Sequence, residues 1–342
     1  MEKTYTSCRK DYPVFYYTNY EIHETASDLA VTYHFEIPGL SSFAPTWCFP
    51  KKTKDTTNWS EDPVLLRTIF SLGMVELVSY WKIACPPKVV VQAGIINDAQ
   101  ISWWKKLYYQ GLGEFFYTNG IEADPDTFME LVCEPSADIQ KIANVFTAKA
   151  EKNVADPAAS DCGCLIPVGG GKDSACTIEM LKKSGHPLYT YIINPRGATL
   201  STVKVSGLSE DHSIHVKRTL DKNMLELNKQ GFLNGHTPFS ALVAFSSVIT
   251  ARMYGLKYVA LSNESSANES TVEGSTVNHQ YSKSFRFEKA FHDYEAAHIG
   301  SGTYYFSMLR PLSEFQIARY FARCRQFHDI FRSCNAGSKE DK

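Results

Sequence analysis

Residues 165–181, LIPVGGGKDSACTIEML, constrain the fold more than any other stretch of the chain. An apolar run ends in three glycines, and an amphipathic helical pattern starts directly behind them. A strand that turns on glycine into a helix is the opening unit of a parallel α/β sheet. The same alternation continues downstream. PLYTYIIN (187–194) and HSIHVKRTL (212–220) read as strands, and KYVALSN (257–263) as a later one preceded by the helix SALVAFSSVITARMYG (240–255). The expected fold class is therefore α/β, a doubly wound parallel sheet. Ligands of such sheets sit beyond the carboxyl ends of the strands, which directs attention to residues 169–174, 194–199 and 262–276.

The first half reads differently. YEIHETASDLAVTYHFEIPGL (20–40) carries two β-branched and aromatic runs broken by TASD, the pattern of a hairpin. A helix follows, with Ser60 as its expected N-cap, Glu61 and Asp62 in its first turn, and Pro86-Pro87 at its end. Leu66, Phe70, Gly73, Leu77 and Trp81 recur along it at helical spacing. KVVVQAG (88–94) is a short strand. The aromatic stretch ISWWKKLYYQGLGEFFYTNGI (101–121) reads as core helix, although Lys105 and Lys106 leave a ligand-facing alternative open. The polar EKNVADPAAS (151–160) is the expected joint, giving a smaller α+β N-terminal domain over 1–150 and a catalytic domain over 160–342.

Composition narrows the partners. A formal net charge of −2 gives no general attraction to nucleic acid or anionic membrane, so neither is an expected partner and any anion site must be built locally. The N-terminus MEKTYTSCRKDYPVF has no apolar signal region. The nine cysteines are odd in number and scattered in apolar surroundings, which points to a reducing cytoplasm rather than a disulfide framework.

The glycine turn has the makings of a phosphate cradle. Gly169, Gly170 and Gly171 let backbone N–H groups approach a ligand, and the next helix points its positive end there. Ser174 adds a hydroxyl and Lys172 a charge. Asp173 can serve Mg²⁺ together with phosphate oxygens, or stand only as an acid at a helix start. Walker A fails, because Ile166 and Asp173 occupy its first glycine and its Ser/Thr, and the dinucleotide pattern fails at Ser174. Asn194 and Arg196 follow the second strand. The polar loop after the later strand holds Ser262, Asn263 and Glu264, then Glu269, Glu273, His279, Lys283 and Arg286, while His236 lies in the separate turn NGHTPFS. Acid, base and cation near one crevice are what proton transfer requires.

The loop resembles the PP-loop of ATP pyrophosphatases, with Gly169 in place of the usual first serine. That resemblance implies a grip on the pyrophosphate end of ATP, with Asn194 and Arg196 facing base and ribose. PVGGGKDS, NPR, LNGHTPFSA, LSNESSANES and NHQYSKSFRFE, with LGMVELVSYWK and YFSMLRPLSEFQIARYFA, resemble the MurL family of UDP-N-acetyl-α-D-muramoyl-L-alanyl-L-glutamate epimerases over nearly the whole chain. The resemblance implies inversion of the terminal glutamate of UDP-MurNAc-L-Ala-L-Glu through an acyl-adenylate, with ATP and Mg²⁺ as cofactors. His279, His236 and Lys283 are the proton-transfer candidates, and Lys105, Lys106, Arg218 and Arg286 candidate partners for substrate anions. Members of that family continue past SCNAGSKEDK into a cysteine-bearing segment, whereas this chain ends at Lys342. Two alternatives stand beside this reading. One is another adenylating PP-loop enzyme, tRNA-thiolating or amide-forming, suggested by Cys162, Cys164 and Cys176 near the loop. The other is a non-catalytic ATP-binding module.

Overall fold

The computed structural model describes residues 3–149, 162–268 and 280–332. The expected joint at 151–160, along with Glu269, Glu273 and His279, lies outside the described residues.

Strands β1 (Val14–Glu24) and β2 (Asp28–Ile37) form the hairpin expected around TASD. Along β2, Leu29, Val31, Tyr33, Phe35 and Ile37 are all buried, the period of two that a sheet with one covered face imposes. Strands β3 (Ser41–Phe43) and β4 (Thr46–Pro50) pair back on β2, while β5 (Lys88–Val91) and β6 (Glu130–Cys133) extend the other side parallel to β1. In the second half, β7 (Cys164–Pro167), β8 (Leu188–Ile193), β9 (Ser213–Thr219), β10 (Tyr258–Leu261) and β11 (Tyr304–Ser307) are all parallel. Their spatial order is β9-β8-β7-β10-β11. Leu165, Tyr191, Val259 and Leu261 enter one apolar cluster, and Cys164, Ile166, Ile192 and Ala260 another. Both faces of β7, β8 and β10 are thus covered, as parallel sheets require, whereas β9 alternates buried and exposed residues.

No local pattern announces how the halves meet. β4 pairs antiparallel with β9, setting Trp47 opposite Arg218, so all eleven strands belong to one sheet. The helix Pro63–Trp81 packs against the helix Phe239–Tyr254 across the same boundary. Among the described residues Pro63–Trp81 is the one helix long and apolar enough to cross a membrane, and it is 94% buried inside the fold.

Two helix boundaries differ from expectation. Ser60 falls in the short 3₁₀ turn Trp59–Glu61, and the cap is Asp62, which accepts from the Leu65 N–H at 2.7 Å with Pro63 behind it. Asp62 is fixed there by a fork from Arg252 at 2.6 and 2.9 Å, whereas the Ser60 N–H donates to Glu24. The helix stops at Trp81 rather than at Pro86, whose carbonyl accepts from the Trp81 indole instead. The aromatic stretch is core: Trp104, Tyr108 and Phe115 are buried, and Lys105 donates to the Asp126 carbonyl.

One buried acid links the halves. Glu76, fully enclosed in the helix Pro63–Trp81, accepts from Arg218 Nη2 at 2.6 Å and Nε at 3.0 Å, and from the Trp47 indole at 3.0 Å. Burial works against the charge on Arg218, but Glu76 more than offsets it and holds the guanidinium protonated more firmly than usual. Removing one member of such a pair leaves the other charge buried alone, at a cost of about 3–5 kcal/mol. Glu76→Ala is therefore expected to lower the unfolding free energy in urea by that amount. A loss below about 1 kcal/mol would show that the pair does not join the halves.

Candidate functional site

Strands β7 to β10 end at one cleft of about 660 Å³. The chain steps from β7 to β8 and β9 on one flank, then returns to place β10 on the other. The cleft therefore opens where the strand order reverses, the place such sheets bind ligands. Val168, Gly169, Gly171, Asp173 and Ser174 line it after β7, Asn194 and Arg196 after β8, Arg218 and Leu220 from β9, and Ser262 and Asn263 after β10. Lys283 closes a further side.

The loop geometry requires glycine at one position above all. Gly170 has a φ of +82°, and a Cβ there would lie 3.0 Å from the Ala198 side chain and 3.2 Å from the Thr199 nitrogen. Backbone packs on backbone at that point, which drives the loop against the start of the next helix. The Gly170 carbonyl also accepts from the Arg332 N–H at 3.0 Å, so the last described residue of the chain is tied to the loop.

Helix capping separates this cleft from the rest of the molecule. Among the described helices of eight or more residues, those beginning after Asp62, Asn97, Asp221, Ser284 and Ser313 have a side-chain oxygen on their first N–H groups. The helices Lys172–Leu181, Gly197–Ser206 and Phe239–Tyr254 do not, because Gly171, Arg196 and Pro238 stand at their caps. These three are the ones whose first turns line the cleft. At the first two, an anion held by the first-turn N–H groups and the helix dipoles would take the place of the cap; at the third, the Phe239 N–H already donates to the Thr237 carbonyl and the Ala241 N–H to the Pro238 carbonyl. Ser262, whose buried hydroxyl has no hydrogen-bond partner, is among the residues that line the same cleft.

The other residues singled out from sequence fall in three places. Asn194 takes a left-handed φ of 51° and exchanges two hydrogen bonds of 2.8 Å with the Arg218 backbone, so its amide is a brace for the cleft wall. Lys172 does not line the cleft. Its ammonium lies 2.7 Å from Asp173, 3.9 Å from Glu264 and 4.0 Å from Glu314. Burial alone would lower its pKa, but these carboxylates raise it above the ordinary value. Glu264 contributes its carbonyl to Arg310 at 2.8 Å and keeps a buried Oε2 without a hydrogen bond. His236 is brought to Glu114, 4.0 Å away, and is absent from the cleft lining because its turn packs over Phe115. His279 lies outside the described residues. Tyr191, Thr199, Phe239, Ser240 and Arg332 line the cleft without having been singled out. Phe239 and Ser240 follow Pro238, a helix-start signal visible in NGHTPFS; nothing in the sequence around Arg332 marks it.

Fit to nucleotide and metal can be judged from these donors. Uncapped N–H groups, Ser174, Arg196 and Lys283 suit a phosphate chain. Among the described residues no group of three or more His, Cys, Asp or Glu side chains could hold a metal. Mg²⁺ would fit at Asp173 only with phosphate oxygens completing its shell.

Known proteins agree with the sequence resemblance. A protein of Xanthomonas oryzae pv. oryzae named UDP-N-acetyl-α-D-muramoyl-L-alanyl-L-glutamate epimerase is 34% identical over 77% of this chain and 55% of its own length. One of the same name from Micromonospora sp. is 34% identical over 80% of this chain and 57% of its own. The chain thus spans about half the length of these relatives. A solved tRNA methyltransferase subunit from Methanocaldococcus jannaschii overlaps 47% of the chain at 14% identity with a TM-score of 0.29, a likeness too slight to carry any argument. Residues 6–308 match the MurL N-terminal domain, and the chain belongs to that family.

Proposed function

We propose that this chain forms the ATP-using part of an epimerase that inverts the terminal L-glutamate of UDP-N-acetylmuramoyl-L-alanyl-L-glutamate. The observation that carries the reading is the glycine cleft, lined by the starts of two helices that have no side-chain cap, in a family whose relatives bear that epimerase name.

The chemistry explains why an epimerase would need a phosphate cradle. A Cα–H beside an ionised carboxylate is a poor acid, because the carbanion would form next to existing negative charge. If the carboxylate oxygen attacks the α-phosphorus of ATP, pyrophosphate leaves and the resulting acyl-adenylate is neutral at that carbonyl. A base then takes the Cα proton, the negative charge moves onto the carbonyl oxygen, and a proton returns on the opposite face. Water cleaves the mixed anhydride, releasing AMP and the D-glutamyl product. Mg²⁺ would offset charge on the phosphates. The N–H groups after Gly171 and Arg196 and the Arg332 side hold the phosphate chain, and oriented donors of this kind supply much of the rate. Lys283, which lines the cleft, and His279 are the proton-transfer candidates.

Two of the three cysteines that suggest the thiolating alternative are poorly suited to it. Burial pushes the thiols of Cys164 and Cys176 up to about 12, leaving almost no thiolate at neutral pH.

Incubation with ATP, Mg²⁺ and UDP-MurNAc-L-Ala-L-Glu in D₂O is expected to give AMP, pyrophosphate, deuterium at the glutamate Cα and the D-isomer. AMP without deuterium would instead indicate an adenylating enzyme of another substrate, and neither product would favour a nucleotide-binding module. Gly170→Ala, strained at its positive φ and pressed on Ala198, is expected to weaken ATP binding about tenfold in calorimetric titration. Gly169→Ala, whose Cβ would meet nothing within 4 Å, is expected to leave thermal stability unchanged.

A further inference from the structure

We propose that Phe239 is the platform on which the base of the bound nucleotide stacks, an inference that rests on the nucleotide reading above. Phe239 opens the helix Phe239–Tyr254 and lines the cleft with 43% of its surface exposed. Full burial of such a ring is favourable, and part of that gain is forgone here. Phe245, six residues on in the same helix, is fully buried, so the helix has a core face that Phe239 does not use.

The exposed ring is not on a loose segment. The turn ahead of it is fastened to the N-terminal half. The Leu233 N–H donates to the Ile83 carbonyl, Asn119 donates to the Asn234 carbonyl at 3.0 Å, and Lys82 donates to the Asn234 side chain at 3.0 Å and to the Gly235 carbonyl. Burial pushes the Lys82 amine down to about 8, the mark of a group spent on holding this turn inside the fold. Pro238 lies so close to the helix Asp98–Gly111 that a Cβ on Gly111 would sit 2.7 Å from it. A rigid, exposed aromatic loses little freedom when a flat ligand covers it.

The cleft therefore carries two chemistries. N–H donors and the cations Arg196 and Lys283 share its lining with hydrocarbon from Phe239, Leu220 and Val243. A phosphate chain alone would satisfy the first and leave the ring in water. A nucleotide satisfies both. Its base could be the adenine of ATP or the uracil of the UDP-linked substrate; the π-face they share is what Phe239 recognises.

The test is calorimetric titration of the wild-type chain, Phe239→Ala and Phe239→Trp with ATP, UDP and inorganic tripolyphosphate, each with Mg²⁺. Base–aromatic stacking is worth about 1–3 kcal/mol by alanine substitution, a factor of roughly 5–150 in affinity. Phe239→Ala is expected to weaken ATP or UDP by about tenfold or more, Phe239→Trp to restore it, and tripolyphosphate to change less than about twofold. Loss confined to ATP assigns adenine, and loss confined to UDP assigns uracil. Unchanged affinity for both nucleotides would overturn the assignment, as would an equal loss of tripolyphosphate, which has no base. If the wild-type chain binds none of the three, the nucleotide reading itself fails.

Discussion

The buried pair of Glu76 and Arg218 is the interaction on which the rest of the structure depends. Glu76 comes from the helix Pro63–Trp81, which packs between the two halves, and Arg218 from β9 at the edge of the parallel strands. Their fork, with the Trp47 indole as a third donor, stands where β4 meets β9. A buried charge is tolerated only when its partners satisfy it. The pair therefore fixes which strand of the first half meets which strand of the second. It also sets one wall of the cleft, because the Arg218 backbone braces Asn194 in its left-handed conformation.

From that wall the division of labour follows. The parallel half supplies strand ends and three helix starts without side-chain caps, and the N-terminal half holds one of those starts in place through Lys82, Asn119 and Gly111. The first half thus acts on the site from behind, by positioning the turn before Phe239. Charge is placed with similar economy. Lys172 is neutralised among three carboxylates and Arg218 by Glu76, so Arg196, Lys283 and Arg332 are the cations that line the cleft outside those pairs.

Much of this was legible in the sequence. Strands β7, β8 and β10 read as apolar runs because both their faces are covered, and the β1–β2 hairpin as two β-branched and aromatic runs broken by TASD. The glycine loop was legible through its three consecutive glycines, of which Gly170 is the one held at positive φ where backbone meets backbone. The join of β4 to β9 was not, since residues 46–48 and 217–219 are far apart and carry no local sign of each other. Ser60 and Asp62 are both good caps by residue type, and only the Arg252 fork, contributed from a distant helix, decides between them. The destination of Lys172 was hidden for the same reason: Glu264 and Glu314 reach it through tertiary contact. His236 looked catalytic beside polar neighbours, but its turn is packed on Phe115 and faces Glu114.

The nucleotide reading requires an anionic ligand to complete the two helix starts behind Gly171 and Arg196, which carry no side-chain cap. Hydrogen exchange of the backbone amides, measured with and without ATP and Mg²⁺, tests it most directly. Slowed exchange is expected in two separate segments, 169–175 and 197–200, with little change at the helix starts capped by Asp62, Asn97 and Ser313. Protection confined to one of these segments, or found only elsewhere on the chain, would contradict it.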